Sequence, residues 1–170
     1  MERQKLESIL TALGEHVPPG SRLFLLGGGA LTLLGSPRPS FDIDFVGDDV
    51  RPIELHRAIM EKAKEMGLQV DAVPIDRFIP LPEGSEGRSI YIGQYANLEI
   101  HVIDPYTIAL SKVDRGAFTD YDDVVFLIAS GYVTLEELER IVQKAVSKAG
   151  KFDLHPEILI HLEELKSRLR

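Results

Sequence analysis

LFLLGGGALTLLGSPRPSFDIDFV, from Leu23 to Val46, is the stretch that decides the fold. Its first four residues are apolar and too few for a helix, and they lead through Gly27-Gly28-Gly29 into a second apolar run. This order predicts a buried strand, a tight turn and the start of a helix. Glycines in such a turn permit positive φ and leave backbone N–H groups uncovered, so that a phosphate could approach them closely.

The stretch ends in Phe41-Asp42-Ile43-Asp44-Phe45-Val46, where apolar and acidic residues alternate. Alternate side chains of a strand point to opposite faces, so Asp42 and Asp44 share one face. Neighbouring carboxylates repel each other unless a cation lies between them, and such hard oxygen ligands favour Mg²⁺ or Mn²⁺. Asp42 and Asp44 are therefore predicted metal ligands, and the alternative is an exposed acidic edge strand.

Two better-known motifs fit this stretch poorly. A dinucleotide-binding turn needs Gly-x-Gly-x-x-Gly, and Thr32 stands where the third glycine belongs. An EF-hand loop that starts at Asp42 would have Val46 at its fifth position and Ile53 in place of the closing glutamate. Neither Val46 nor Ile53 offers an oxygen ligand, so we exclude the EF-hand. The missing third glycine disfavours the dinucleotide site.

The two halves of the stretch together resemble a known signature. Gly27-Gly28-x-Ala30-Leu31, followed by Arg38-x-Ser40-x-Asp42-x-Asp44, is similar to the GG-x-A-L and R-x-T/S-x-D-x-D pattern of the nucleotidyltransferase-fold superfamily. Within it, the chain resembles the small single-domain branch that includes AbiEii-type toxins. The resemblance implies an α/β fold in which a small mixed sheet is flanked by helices and followed by a C-terminal helical tail.

The resemblance also implies an activity. It is the metal-dependent transfer of a nucleoside monophosphate from an NTP to a hydroxyl of an acceptor that the sequence does not identify, in a toxin–antitoxin or stress module. The alternative is an inactive module of the same fold that binds a nucleotide or a partner protein such as an antitoxin. The residues expected to contact the phosphates of the NTP are Gly27, Gly28, Arg38, Ser40 and Lys112.

Enzymes of this superfamily generally need a third carboxylate on a strand beside the Asp-x-Asp strand, as a metal ligand or a base. Glu99 is the preferred candidate, because its predicted strand, Tyr95 to Ile103, directly precedes a helix that opens at Asp104, as the family layout implies. Asp71, on a predicted strand from Leu68 to Ile75, is the competitor.

A further part of the resemblance lies beyond Asp104. A helix that bears Lys112, then Arg115, then Asp120-x-x-Asp123, resembles the Lys, Arg and Asp-x-x-Asp pattern of the relatives. The spacing from arginine to aspartate is longer here than in some of them. Asp120 and Asp123 are expected either to contact the base or the acceptor, or to cap their helix.

Composition limits the class of protein. The chain has 170 residues, of which 44% are hydrophobic, so we expect one domain, with a core to about residue 130 and a helical tail from 131 to 170. It has no cysteine, no apolar stretch of the roughly 20 residues that span a bilayer and no N-terminal signal region, which predicts a cytoplasmic protein. A net charge of −8 argues against an extended surface for duplex nucleic acid.

Overall fold

The structure is a computed structural model, and it describes all 170 residues. Helices and strands alternate in the first part of the chain, and only helices follow the last strand. In chain order they are α1 (Arg3–Glu15), β1 (Ser21–Leu26), α2 (Gly27–Leu33), β2 (Ile43–Val46), α3 (Glu54–Glu65), β3 (Val70–Val73), α4 (Ile75–Phe78), β4 (Ile90–Tyr95), β5 (Leu98–Val102), α5 (Pro105–Arg115), α6 (Phe118–Ala129), α7 (Leu135–Ser147) and α8 (Ile158–Arg168).

The chain forms two compact units. The sheet unit comprises Met1–Ile75 and Ser89–Ile103, and the helical unit comprises Asp76–Arg88 and Asp104–Arg170. Helices α5 and α6, which the sequence analysis assigned to the core before residue 130, belong to the helical unit together with α7 and α8. The glycine turn and the Asp-x-Asp strand both lie in the sheet unit.

The sheet has five strands in the order β3-β2-β1-β5-β4. Strand β1 pairs antiparallel with β2 and parallel with β5, while β2 and β3 are parallel and β4 and β5 are antiparallel. This mixed sheet, together with its helices, confirms the predicted α/β fold. The turn into α2 also lies where the glycines predicted it, directly after β1.

One face of the sheet forms the core of the sheet unit. The stripe of apolar residues on α1 is buried, and α1 packs against β4 and β5 while α3 packs against β3. Burial of these side chains supplies most of the favourable free energy of folding in the sheet unit. The residues of the sheet that are at most 1% exposed on this face are Leu23, Leu25, Ile43, Phe45, Leu98, Ile100 and Val102.

The opposite face of the sheet carries polar and aromatic side chains, and we call it the open face. Successive side chains of a strand point to opposite faces, so the residues that alternate with the core residues lie on the open face. Leu26, the cross-strand partner of Asp44, is buried on this face, and its other members on β1, β2, β3 and β5 are at least partly exposed. They are Arg22, Phe24, Asp44, Val46, Asp71, Val73, Glu99 and His101.

Helix α5 is the central helix of the helical unit, because it contacts α6, α7 and α8. It begins where Asp104 accepts a hydrogen bond from the backbone N–H of Tyr106 at 3.1 Å, with Pro105 in its first turn, and it ends at Gly116, whose φ is 66°. Proline at the start and a left-handed glycine at the end are the usual helix boundaries. No helix of the protein is both long enough and apolar enough to cross a bilayer.

Candidate active site

Three carboxylates meet at one end of strands β2 and β3. Asp42, Asp44 and Asp71 each offer one carboxylate oxygen, and these oxygens all lie within 4.8 Å of one another. We call this group the acidic triad. Because three partly exposed carboxylates this close repel one another, the arrangement suits a divalent cation with oxygen ligands.

Strand register explains how residues distant in sequence reach the triad. Asp44 and Asp71 are cross-strand partners in the parallel pair of β2 and β3. Each stands between two buried residues, so the core fixes the face to which both carboxylates point. Asp42 lies just before β2, in the loop that leads into it.

The glycine turn lies directly beside Asp44 of the triad. Gly27 has a φ of 72°, and a Cβ added to it would lie 2.6 Å from Oδ2 of Asp44. A Cβ added to Gly28 would lie 2.9 Å from Oγ of Ser40. Only glycine fits both positions without moving these side chains, and Gly27 also needs the left-handed conformation.

The loop before β2 is held by short-range hydrogen bonds. Ser40 is buried, and its hydroxyl donates to the backbone carbonyl of Asp42 at 2.9 Å. Arg38 is half-buried in the same loop, and its backbone N–H donates to Oγ of Ser36 at 3.3 Å. Ser40 therefore lies next to the turn and fixes the backbone that carries Asp42.

Glu99 is not part of the triad. It pairs with Arg22 on β1, whereas Asp44 pairs with Leu26, so the two carboxylates lie at opposite ends of β1. At about 3.3 Å per residue, those ends are roughly 13 Å apart, and Glu99 lies one strand beyond β1. Of the two sequence candidates for the third carboxylate, the structure brings Asp71 to the Asp-x-Asp pair.

Glu99 has its own partners on the open face. Its carboxylate lies 2.7 Å from Nε2 of His101 and 2.8 Å from Nε of Arg22. The hydrogen bond with His101 and the charge of Arg22 lower the pKa of Glu99. No sequence motif includes His101, although the alternation from Leu98 to Val102 that turns Glu99 to this face also turns His101 there.

Lys112, Asp120 and Asp123 form a buried cluster inside the helical unit. Nζ of Lys112 donates to Asp123 at 2.8 Å and lies 3.5 Å from Asp120. Asp120 also accepts hydrogen bonds from Nε of Arg115 at 2.7 Å and from the backbone N–H of Ala117 at 3.0 Å. The cluster thus joins α5 to the first turn of α6, where Asp120 acts as a cap.

The charges of this cluster act on Asp120. Burial alone raises the pKa of a carboxyl group, because it disfavours the charged form. Here the hydrogen bond from Arg115 and the positive charges of Lys112 and Arg115 outweigh burial, and the pKa of Asp120 is lowered. Asp120 is therefore ionised at neutral pH although it is only 1% exposed.

The helical unit also contains a cavity between the 80–83 loop and α7. Its volume is about 250 Å³. None of the residues predicted for the site lines it. Its charged lining residues are Glu83, Arg140, Lys144 and Lys148.

Comparison with protein families adds an independent observation. A family model described as a nucleotidyltransferase of unknown function (DUF6036) matches residues 4–170. The chain belongs to this family. The match confirms the nucleotidyltransferase superfamily that the motifs predicted, and a nucleotidyltransferase takes an NTP as substrate together with a divalent metal ion. The acidic triad of this nucleotidyltransferase family member is compatible with such an ion. No curated protein and no solved structure matches the chain.

Proposed function

We propose that the protein transfers a nucleoside monophosphate from an NTP to a hydroxyl group of an acceptor, at the acidic triad. The observation that carries this proposal is the convergence of Asp42, Asp44 and Asp71 beside the Gly27 turn. The family match supports the same reaction class.

Asp42, Asp44 and Asp71 would hold the metal ion. Their donors are all carboxylate oxygens, the ligand type that Mg²⁺ and Mn²⁺ prefer, so the donor set fits the ion that the family implies. When bound, the ion neutralises charge that develops on the phosphates during transfer. The uncovered backbone of Gly27 and Gly28 would bind the outer phosphates, with Arg38 nearby. Ser40 holds this loop through its hydrogen bond to the carbonyl of Asp42.

The transfer itself exchanges one P–O bond for another. The hydroxyl oxygen of the acceptor bonds to the α-phosphorus, the bond from this phosphorus to the bridging oxygen breaks, and pyrophosphate leaves. The proton of the hydroxyl passes to a carboxylate, for which we propose Asp71, since it is the triad member contributed by the neighbouring strand. The resemblance to AbiEii-type toxins extends this proposal to a role in a toxin–antitoxin or stress module.

Calorimetric titration of each NTP with Mg²⁺ tests the first step. We expect micromolar binding that requires Mg²⁺ and is lost in the Asp44→Asn variant. The matched control is Asp76→Asn, which removes the same charge at an exposed position in the helical unit and should leave binding unchanged. Absence of Mg²⁺-dependent binding by the wild type would reject the proposal.

Release of pyrophosphate tests the second step. NTP and Mg²⁺ are incubated with wild type and the same two variants, in the presence of a cell extract as the source of acceptors. Production of pyrophosphate by the wild type and Asp76→Asn, but not by Asp44→Asn, supports transfer. Binding without any transfer would instead support the alternative function, an inactive module that binds a nucleotide.

A further inference from the structure

The cavity between the 80–83 loop and α7 has no part in the proposed transfer reaction. Five of the residues that line it are apolar, and four of these five are buried. The other four lining residues are charged, and all of them are exposed. The cavity is therefore apolar at its base and charged at its mouth. The apolar residues are Pro80, Leu81, Pro82, Ile141 and Ala145.

The residues around the cavity explain why it stays open. Pro80 and Pro82 form one wall, and the ring of a proline fixes φ, so this loop has little freedom to fold inward. On α7, Ala145 occupies a buried position about one turn after Ile141 and carries only a methyl group. The base of the cavity is the space that a longer side chain at this position would fill.

The volume of the cavity limits the size of a ligand. In other proteins, a cavity of about 150 Å³ binds one benzene ring. At about 250 Å³, this cavity has room for one ring and roughly three or four further heavy atoms. It suits a compact apolar group with a short polar tail and is too small for a nucleotide.

The charged residues at the mouth favour an anion. Arg140, Lys144 and Lys148 are spaced four residues apart and so share one face of α7, in a chain whose net charge is −8. Arg140 donates to Glu137 at 2.6 Å, and Nζ of Lys144 lies 3.2 Å from Glu83. Lys148 forms no ion pair, so three cations and two carboxylates leave one positive charge in excess.

Lys144 can also contribute to binding of an anion. Its pair with Glu83 is exposed, with 48% and 81% of the two side chains accessible. Exposed pairs of this kind stabilise a protein little, so Lys144 can exchange Glu83 for a ligand. A carboxylate at the mouth would then lie between Lys144 and Lys148, which are about one helical turn apart.

We propose that this cavity binds a free carboxylic acid whose apolar part is about the size of one aromatic ring. The apolar part contacts Leu81, Ile141 and Ala145, and the carboxylate pairs with Lys148, with Lys144 beside it. The site belongs to the helical unit, whereas the acidic triad belongs to the sheet unit. Binding of the acid needs neither a metal ion nor an NTP, so the inference goes beyond the proposed function.

Titration followed by heteronuclear NMR tests this inference, with phenylacetate as the probe. We expect shifts of the amide resonances of α7 and of the 80–83 loop, with a Kd on the order of 1 mM. At low ionic strength, phenylacetate should bind about fivefold more tightly than its neutral amide, phenylacetamide. Acetate, which lacks the ring, should not shift these resonances.

The role of the charge is tested at Lys148. Lys148→Gln should bind phenylacetate no more tightly than phenylacetamide, and its affinity for phenylacetamide should equal that of the wild type. The matched control is Lys151→Gln, which removes an exposed lysine of the same unit that does not line the cavity. This control should keep the preference for the carboxylate.

The role of the apolar wall is tested at Leu81, which is 44% exposed. Leu81→Ala removes part of the contact with the ring, so it should weaken binding of both phenylacetate and phenylacetamide by about fivefold. Leu159→Ala is the matched control, because Leu159 is 48% exposed in the same unit and does not line the cavity. It should leave both affinities unchanged.

The inference fails if neither phenylacetate nor phenylacetamide shifts the amide resonances around the cavity, or if Lys148→Gln keeps the preference for the carboxylate. Tighter binding of N-acetyl-Gly-Gly-Phe than of phenylacetate would assign the cavity to the C-terminus of a peptide and would also overturn it. These failures are distinguishable from failure of the proposed function, which shows as the absence of Mg²⁺-dependent NTP binding.

Discussion

At the scale of single residues, Gly27 ties the shape of the backbone to the position of Asp44. An alanine there would adopt the left-handed conformation, at a cost of about 1–2 kcal/mol, and would push the carboxylate of Asp44 out of the triad. We expect Gly27→Ala to lower the affinity for Mg²⁺ and NTP by about tenfold or more. Calorimetric titration and urea denaturation measure the two effects.

Gly20→Ala is the matched control for this substitution. Gly20 also has a positive φ, 83°, but a Cβ added to it would meet nothing within 4 Å. The Gly20→Ala variant should therefore lose a similar amount of stability and keep the full affinity for NTP. Equal loss of affinity in both variants would show that the contact with Asp44 is not responsible.

Asp71 can be tested by its repulsion of the other two carboxylates. In EDTA, Asp71→Asn should raise the melting temperature by about 1–3 °C, because one like charge is removed from the triad. The asparagine oxygen can still accept the hydrogen bond that Gln69 donates. With Mg²⁺ in excess, the wild type should gain stability and the variant should not, as thermal denaturation would record. A melting temperature that falls in EDTA would contradict mutual repulsion.

The sequence predicted the pair Asp42 and Asp44 and left two candidates for the third carboxylate, with Glu99 preferred over Asp71. The pair depends on local alternation, which a sequence displays directly. Asp71 and Glu99 look alike in sequence, since each is an acidic residue among apolar residues of a short strand. Only the strand order and the register of β2 with β3 distinguish them, and both are set by packing between distant segments.

At the scale of elements, the junction of α5 and α6 should govern stability at low pH. The pKa of Asp120 is lowered in the folded protein, below the value of about 3.9 in an unfolded chain. Its ionised form therefore stabilises the fold above that value, and this contribution is lost as pH falls through the folded pKa. At pH 7, Asp120→Asn should cost roughly 3 kcal/mol, as expected when one partner of a buried ion pair is removed.

Urea denaturation between pH 7 and pH 3 measures this effect. The difference in unfolding free energy between wild type and Asp120→Asn should shrink as the pH falls. Asp122 lies on the same helix but is largely exposed, and it is 3.4 Å from Arg168. Asp122→Asn should cost less than about 1 kcal/mol at either pH. A constant difference for Asp120→Asn would show that its charge does not stabilise the fold.

Lys112 illustrates why such a cluster escapes sequence analysis. A lysine on an amphipathic helix suggests either a surface residue or, by resemblance, a phosphate contact. The partners that bury it come from the next helix, and their approach depends on how α5 packs against α6. The phosphate role of Lys112 stays a prediction.

At the scale of the whole molecule, the two units should respond differently to substrate. All residues of the triad and of the glycine turn belong to the sheet unit. We therefore expect Mg²⁺ and NTP to slow amide hydrogen exchange in Met1–Ile75 and Ser89–Ile103 and to leave α5 unchanged. Mass spectrometry of peptic peptides locates the protection. Protection of the peptide that contains Lys112 would instead support its contact with phosphate.

The order of the strands also has a consequence for how the protein folds. Strands β1, β2 and β3 lie close together along the chain, whereas the parallel pair of β1 and β5 joins Ser21 to Leu98 across three other strands and three helices. Closing the longer loop costs more chain entropy, and distant pairings form slowly. Quenched-flow labelling should therefore find that the amides bonded between β2 and β3, and those bonded between β4 and β5, gain protection before those bonded between β1 and β5. The acidic triad would then assemble on a partial sheet, and a divalent cation present during synthesis would favour the productive register from the start.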